Sequence, residues 1–301
     1  AGALQADSVT FSQVDSTGWD RIRILNYAND GLTRITNSTI EYASDGVYLE
    51  SASPTISNSI IRHNDKGINA DVSSEPVVYG NTFIGNDTPI YICARSIDGN
   101  IYGNTYQGNT NDHVHVYGTE DGGNWIRLGD NKTYNWLLDG AAYYLDTEIG
   151  VERENNGNEL TILQIEKDVV IQVREGKKII IGNNDNQNYK GAIQAQGVTF
   201  TSLTSDTRWE GIGLYNYSDD AGTVLDSCVI ENTVDGIYCS SSSPTLINNI
   251  FRNNTDGVVS DAGSAPIITG NTFTNNQYPV KIFGNDIDGN LQGNTYTDNL
   301  L

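Results

Sequence analysis

The chain has 301 residues and a net charge of −21, with 17 Lys and Arg against 38 Asp and Glu. That balance excludes nucleic acid as a partner, because phosphate backbones are held by basic patches. No apolar run approaches the roughly 18 residues of a membrane-spanning helix, and no signal-peptide pattern stands at Ala1. In chain order, AGALQADSVTF opens the sequence, GVYL (Gly46–Leu49) is a short strand packet, and PTISNSIIRHNDKGI follows at Pro54–Ile68. GINA (Gly67–Ala70), PVVYGNTFIGNDTPI (Pro76–Ile90), PIYI (Pro89–Ile92) and HVHV (His113–Val116) continue the series. A stretch of different texture then contains TYNWLLDGAAYYL (Thr133–Leu145), LTILQI (Leu160–Ile165), VVIQV (Val169–Val173) and KKIII (Lys177–Ile181). After KGAIQAQGVTF at Lys190, the Pro54 pattern returns as PTLINNIFRNNTDGV (Pro244–Val258) and PIITGNTFTNNQYPV (Pro266–Val280).

The chain therefore contains itself twice. Adding 190 to Ser16–Asn111 gives Asp206–Leu301 without a gap, and about 40 of the 96 aligned positions are identical. Three segments follow: 1–111 is a first copy, 112–189 a connector of further strands, and 190–301 a second copy. NNDNQN (Asn183–Asn188) reads as a surface loop. Within each copy a period of 20–24 residues appears. Asn58, Asn81 and Asn104 are 23 apart, and Asn248, Asn271 and Asn294 repeat that spacing. Strand packets alternate with period two, helical periodicity is absent, and Gly, Asn and Asp mark the corners where positive φ is needed.

A coil of about three short strands with Asn-rich corners, repeated at this period, predicts an all-β parallel β-helix solenoid. The six asparagines named above are expected to form ladders between coils, satisfying buried polar groups. Ile56 with Val78 and Ile101, and Ile60 with Phe83 and Tyr106, are expected to stack in the bore. Cys93, Cys228 and Cys239 read as small buried apolar residues, with a Cys228–Cys239 bond left open.

The motif P-x-I-x-x-N-x-[IF]-x-x-N-x-x-G-[IV] resembles the right-handed parallel β-helix repeat of the pectin-lyase-like superfamily. The passage from Trp136 through Gly191 is similar to the segment that opens such domains in surface proteins. The resemblance implies the fold for essentially the whole chain. It leaves activity open, since that fold carries lyases, hydrolases, adhesins and inert stalks.

Candidate chemistry is sparse. A lyase would need an acidic Ca²⁺ site beside a base, but the two copies share only Arg62/Arg252. Lys66 is answered by Asp256 and Arg21 by Gly211. A glycoside hydrolase would need paired carboxylates across coils. The shared acids Glu41/Glu231, Asp45/Asp235, Asp71/Asp261 and Asp98/Asp288 read as turn residues, with no pair at one strand position of successive coils. Asp286, Asp288 and Asn290 have the flavour of a calcium loop, against the plainer reading of an IDGN turn. His113 and His115 read as solvated strand residues, with Val114 and Val116 pointing inward. Trp19 and Trp209 read as coil packing rather than sugar platforms. Sequons stand at Asn37, Asn86, Asn131, Asn216 and Asn253, and carry meaning only on an exported chain. An ice-binding surface would need a Thr-x-Thr ladder on every coil, and none is evident.

The chain holds no methionine, so a processed product or a piece of a longer tandem array is expected. Its two ends are in register to continue each other, which suggests copies stacked head to tail into a filament. The first functional expectation is a structural, non-enzymatic, extracellular or cell-surface solenoid, a stalk or filament subunit with adhesive roles. The alternative is a β-helix that binds or degrades polysaccharide. A groove with convergent carboxylates and a Lys or Arg would favour that alternative.

Overall fold

The computed structural model describes residues 2–14, 18–153, 160–184 and 189–300. Among these the regular structure is strand apart from three single-turn 3₁₀ segments, at Ala94–Ser96, Asp121–Gly123 and Gly284–Asp286. Two compact units emerge. Unit 1 comprises 1–119 with 136–144, and unit 2 comprises 120–135 with 145–301. The connector is thus divided between them.

Each unit is a solenoid of three parallel sheets in which every strand pairs with its counterpart one coil on. In unit 1 the first sheet runs Gln5–Asp7, Arg34–Thr36, Thr55–Ser57, Val77–Tyr79 and Ile101–Tyr102. The second runs Thr10–Phe11, Thr39–Glu41, Ile60–Arg62, Thr82–Ile84 and Thr105–Gln107. The third, with longer strands, runs Trp19–Leu25, Ala43–Glu50, Lys66–Ala70, Thr88–Cys93 and His113–Tyr117. Unit 2 repeats the pattern. Its third sheet contains Trp125–Leu128, Glu148–Val151, Lys178–Ile181, Gly211–Leu214, Asp235–Cys239, Asp256–Ser260 and Tyr278–Lys281.

Period-two alternation aims one column of each sheet into the bore. Ile35, Ile56, Val78 and Ile101 lie in register and are buried. The second expected stack is shifted by one residue. Ile61, not Ile60, pairs with Phe83 and Tyr106, and Ile60 stands outside opposite Thr82. A one-residue shift turns a strand side chain to the opposite face, so only one of the two isoleucines can be core. Phe83 and Tyr106 stack at 5.3 Å, and Phe251, Phe273 and Tyr296 form the matching column in unit 2 at 4.9 and 5.3 Å. Phe83, Phe251 and Phe273 are fully buried, and burying each contributes about 1.5–3 kcal/mol.

Polar ladders follow the same logic, with one correction. Asn81 donates its backbone N–H and its Nδ2 to Asn104 Oδ1 at 3.0 and 3.1 Å, and Nδ2 also reaches Ile56 O at 2.9 Å. Asn271 does the same to Asn294 at 2.9 and 3.3 Å. Asn58 and Asn248, however, are not rungs. Each occupies a left-handed corner, at φ 51° and 56°. The rung below is the following residue: Asn81 Oδ1 accepts from Ser59 N at 3.0 Å, and Asn271 Oδ1 from Asn249 N at 2.7 Å. Those coils are a residue shorter, so a strict 23-residue count lands on the corner. A second ladder, Asn64–Asn86–Asn109 with Asn254–Asn276–Asn299 in unit 2, lines the next corner.

All three cysteines are buried free thiols. Burial pushes Cys93 and Cys228 up to about 11 and Cys239 higher still, so thiolate chemistry near neutrality is suppressed.

Candidate functional site

The third sheet carries the long strands, and its outward side chains hold the chemistry. In unit 2, Asp235, Asp256 and Tyr278 fall in one column, each in register with the next. The expectation of no such pair concerned the acids shared by both copies; Asp256, which replaces Lys66, was outside it. Sequence already held the signal, because Lys66 of the first copy becomes Asp256 in the second, next to an Asp235 that both copies keep. What hid the pair was its reading as the loss of a base.

Asp256 is buried, at 8% exposure. Its Oδ2 accepts from Lys281 Nζ at 2.6 Å, and that ammonium also lies 3.9 Å from the Tyr278 ring centroid. Asp235 stands one coil before Asp256, in register with it. Burial, then the Asp256 charge, push Asp235 up to about 6, with Glu210 adding to the rise and Lys281 opposing it. Two carboxyl groups this close cannot both ionise freely. Asp235 therefore keeps its proton to a higher pH than an isolated carboxyl.

A cavity of about 200 Å³ opens beside Asp235. Its floor is Gly211 and Gly213, its walls include Tyr215 and Tyr238, and Lys178 and Glu210 complete it. Gly211 is required. Its φ is +105°, and an added Cβ would come 1.5 Å from Asp235 O. The Tyr215 and Tyr238 rings meet edge to face at 6.1 Å and 66°.

Unit 1 builds the same position differently. Asp45 stands where unit 2 has Asp235, and Arg21 and Lys66 flank it in register. Arg21 Nη1 pairs with Asp45 Oδ2 at 2.8 Å while its guanidinium lies 5.0 Å from the Tyr48 ring centroid. Lys66 lies over the Tyr91 ring at 4.2 Å.

Other sequence candidates disperse. Val114 and Val116 point into the core as expected, but His113 is buried rather than solvated, and His115 is half-buried. Tyr144, on the next strand of the connector, covers them with its ring 4.7 and 5.4 Å away. Asn290 spends its Nδ2 on Pro266 O and Asp286 O, and its Oδ1 accepts from Asp288 N at 3.2 Å. Asp286 Oδ2 accepts from Gly263 N at 3.1 Å. The IDGN segment is thus a self-bonded turn. Among the described residues no group of three or more His, Cys, Asp or Glu could hold a metal. Trp209 is fully buried, and Trp19 and Trp209 donate to Glu41 O and Glu231 O at 2.8 and 3.0 Å. Of the sequons, Asn37, Asn216 and Asn253 are exposed and Asn131 is partly covered. Asn86 is fully buried as a ladder rung, which closes that site to modification of the folded chain. The loop expected at Asn183–Asn188 lies partly outside the described residues; Asn184 Oδ1 accepts from Asn216 N at 3.2 Å.

The acid pair has a thermodynamic signature. Asp235 holds its proton more tightly folded than unfolded, where it titrates near 3.8. Its contribution to stability is complete below about pH 4 and is lost as pH rises through about 6. After allowance for partial solvent screening, about 1–2 kcal/mol is at stake. Asp235→Asn should therefore flatten the urea midpoint between pH 4 and 7. An unchanged slope in that variant would remove the proton from Asp235.

No helix of the described residues is long and apolar enough to cross a membrane. Comparison with curated proteins and with solved structures returned no match. The right-handed beta helix region family model matches twice, over residues 4–156 and 149–296. Repeat, parallel register and bore stacks agree with that match, and the chain belongs to the right-handed β-helix family.

Proposed function

We propose that this protein is an extracellular β-solenoid that adheres to an extended polysaccharide, gripping one sugar unit in the unit 2 cavity. The observation that carries the reading is that cavity, where two tyrosine walls and a carboxyl-lined rim meet over a glycine floor. Its volume of about 200 Å³ is below the roughly 300–1,000 Å³ of pockets that engulf a whole ligand. One ring of a polymer, with its neighbours lying along an open sheet, suits such a space. Tyrosine rings and carboxyls are the groups that stack on sugar faces and accept from hydroxyls.

Binding fits better than cleavage. Glycosidic hydrolysis places its two carboxyls about 5–5.5 Å or about 6.5–9.5 Å apart. Asp256, the acid in register with Asp235, is buried and held by Lys281 Nζ at 2.6 Å, and it is not among the residues that line the cavity, so the pair is not a set of two carboxyls facing one sugar. The cross-bracing within each unit supports the adhesive role, since backbone ladders and two asparagine ladders run through successive coils. Polymers of this kind are met outside the cell, which is the ground for the location.

Affinity electrophoresis through gels carrying a panel of polysaccharides tests the reading. At least one polymer should retard the full chain, and Tyr238→Ala should weaken that retardation about tenfold, the loss of roughly one stacking contact. No retardation by any polymer, or equal retardation of the variant, would reject it.

A further inference from the structure

We propose that the unit 2 cavity receives a cationic group, the free ammonium of an amino-sugar residue in the bound polymer. The polymer rests on the reading above; the cation does not. It rests on the internal duplication, which lets one copy serve as the liganded form of the other.

In unit 1 the carboxylate Asp45 is met by the Arg21 guanidinium at 2.8 Å, stacked on Tyr48 at 5.0 Å. Unit 2 keeps the receiving half, as Asp235 and Tyr238, and lacks the arriving half. Gly211 stands where Arg21 would be, and Gly213 where Arg23 would be. All four of these residues are among those that line the cavity. An arginine of the first copy is thus an internal stand-in for what the second copy leaves open.

Charge supports the same conclusion. Lys281 matches Asp256. Lys178 and Glu210 line the cavity with opposite charges, which leaves Asp235 as the carboxyl that tips its balance towards a cation. Asp235 forms no ion pair among the described residues and keeps a proton up to about pH 6, with Glu210 raising it and Lys281 opposing the rise. A bound ammonium would replace that proton. A tyrosine face adds cation–π attraction. The net charge of −21 draws a polycation and repels a polyanion.

Calorimetry on the full chain, with three probes, tests this. Methylguanidinium, charged at every pH used, should bind about tenfold more tightly at pH 7 than at pH 5 as Asp235 ionises, with proton release on binding. Asp235→Asn should abolish that pH dependence, and Tyr238→Leu should weaken binding while leaving it pH-dependent. An oligomer of glucosamine with free amines should bind more tightly at pH 6 than its fully N-acetylated counterpart.

Equal binding of the two oligomers would overturn the cation and leave the polysaccharide reading standing. Binding of methylguanidinium with no gain from the amine oligomer would keep the cation site and reject the amino sugar. Tighter binding of an arginine-rich peptide than of the amine oligomer would likewise overturn the amino-sugar assignment. Binding of methylguanidinium that ignores both pH and Asp235→Asn would remove the site altogether.

Discussion

Asn86→Leu is expected to destabilise the fold by about 3–6 kcal/mol, measured as a fall in the urea midpoint. Asn86 is fully buried. Its Oδ1 accepts from Asn64 N and Asn64 Nδ2 at 3.1 and 3.0 Å. Its Nδ2 donates to Ile61 O at 2.9 Å and to Asn109 Oδ1 at 3.0 Å. Leucine has similar volume, so no cavity opens, and the loss comes from polar groups left without partners. Asn64 N and one Asn64 Nδ2 hydrogen would be stranded away from water, at about 1–3 kcal/mol each and not fully additive, and Ile61 O would lose one of its donors. A control with the same motif sharpens the result. Asn216 heads an exposed sequon, and Asn216→Ala should cost no more than about 0.5 kcal/mol. Similar losses in the two variants would mean that the corner amides contribute little.

How far the residues alone reach can be judged at these corners. The fold was legible because three periods agree: 190 residues between copies, 20–24 between coils and two within strands. Each reflects a separate demand, and they coincide only in a parallel solenoid. Single positions were less legible, because coil length varies by a residue. That slip put Asn58 in place of Ser59 and Ile60 in place of Ile61. A backbone pattern tolerates an inserted corner residue; a side-chain assignment does not. The acidic column was missed for another reason. Asp235 and Asp256 are 21 residues apart, one coil, and nothing local to either marks the other. Lys281 lies 25 residues beyond Asp256. Only the register brings these three together, and of them Asp235 alone lines the cavity over Gly211 and Gly213.

The same dependence on register governs how the first ladder of unit 1 stops. Each rung donates to the oxygen of the next, so the ladder has a direction and its last amide needs an acceptor. Asp139 supplies it. Its Oδ1 accepts from Asn104 N at 2.8 Å and Asn104 Nδ2 at 3.2 Å, and its Oδ2 accepts from the Tyr106 hydroxyl. Burial, then the Asp139 charge, push Tyr106 well above the usual phenol range, so it stays a donor. A carboxylate fits here because it only accepts. Asp139→Leu is expected to cost about 3–6 kcal/mol by stranding three buried donors. Asp139→Asn should cost about 1 kcal/mol, since its Oδ1 still serves Asn104 and its Nδ2 can donate to a Tyr106 oxygen that also accepts. Tyr106→Phe removes one donor and leaves Asp139 Oδ2 short of one bond, for an intermediate loss of about 1–3 kcal/mol. The ordering Leu, then Phe, then Asn is the test, read from urea unfolding at one pH. If asparagine proves as damaging as leucine, the carboxylate is held for its charge, and the one-way ladder does not explain it.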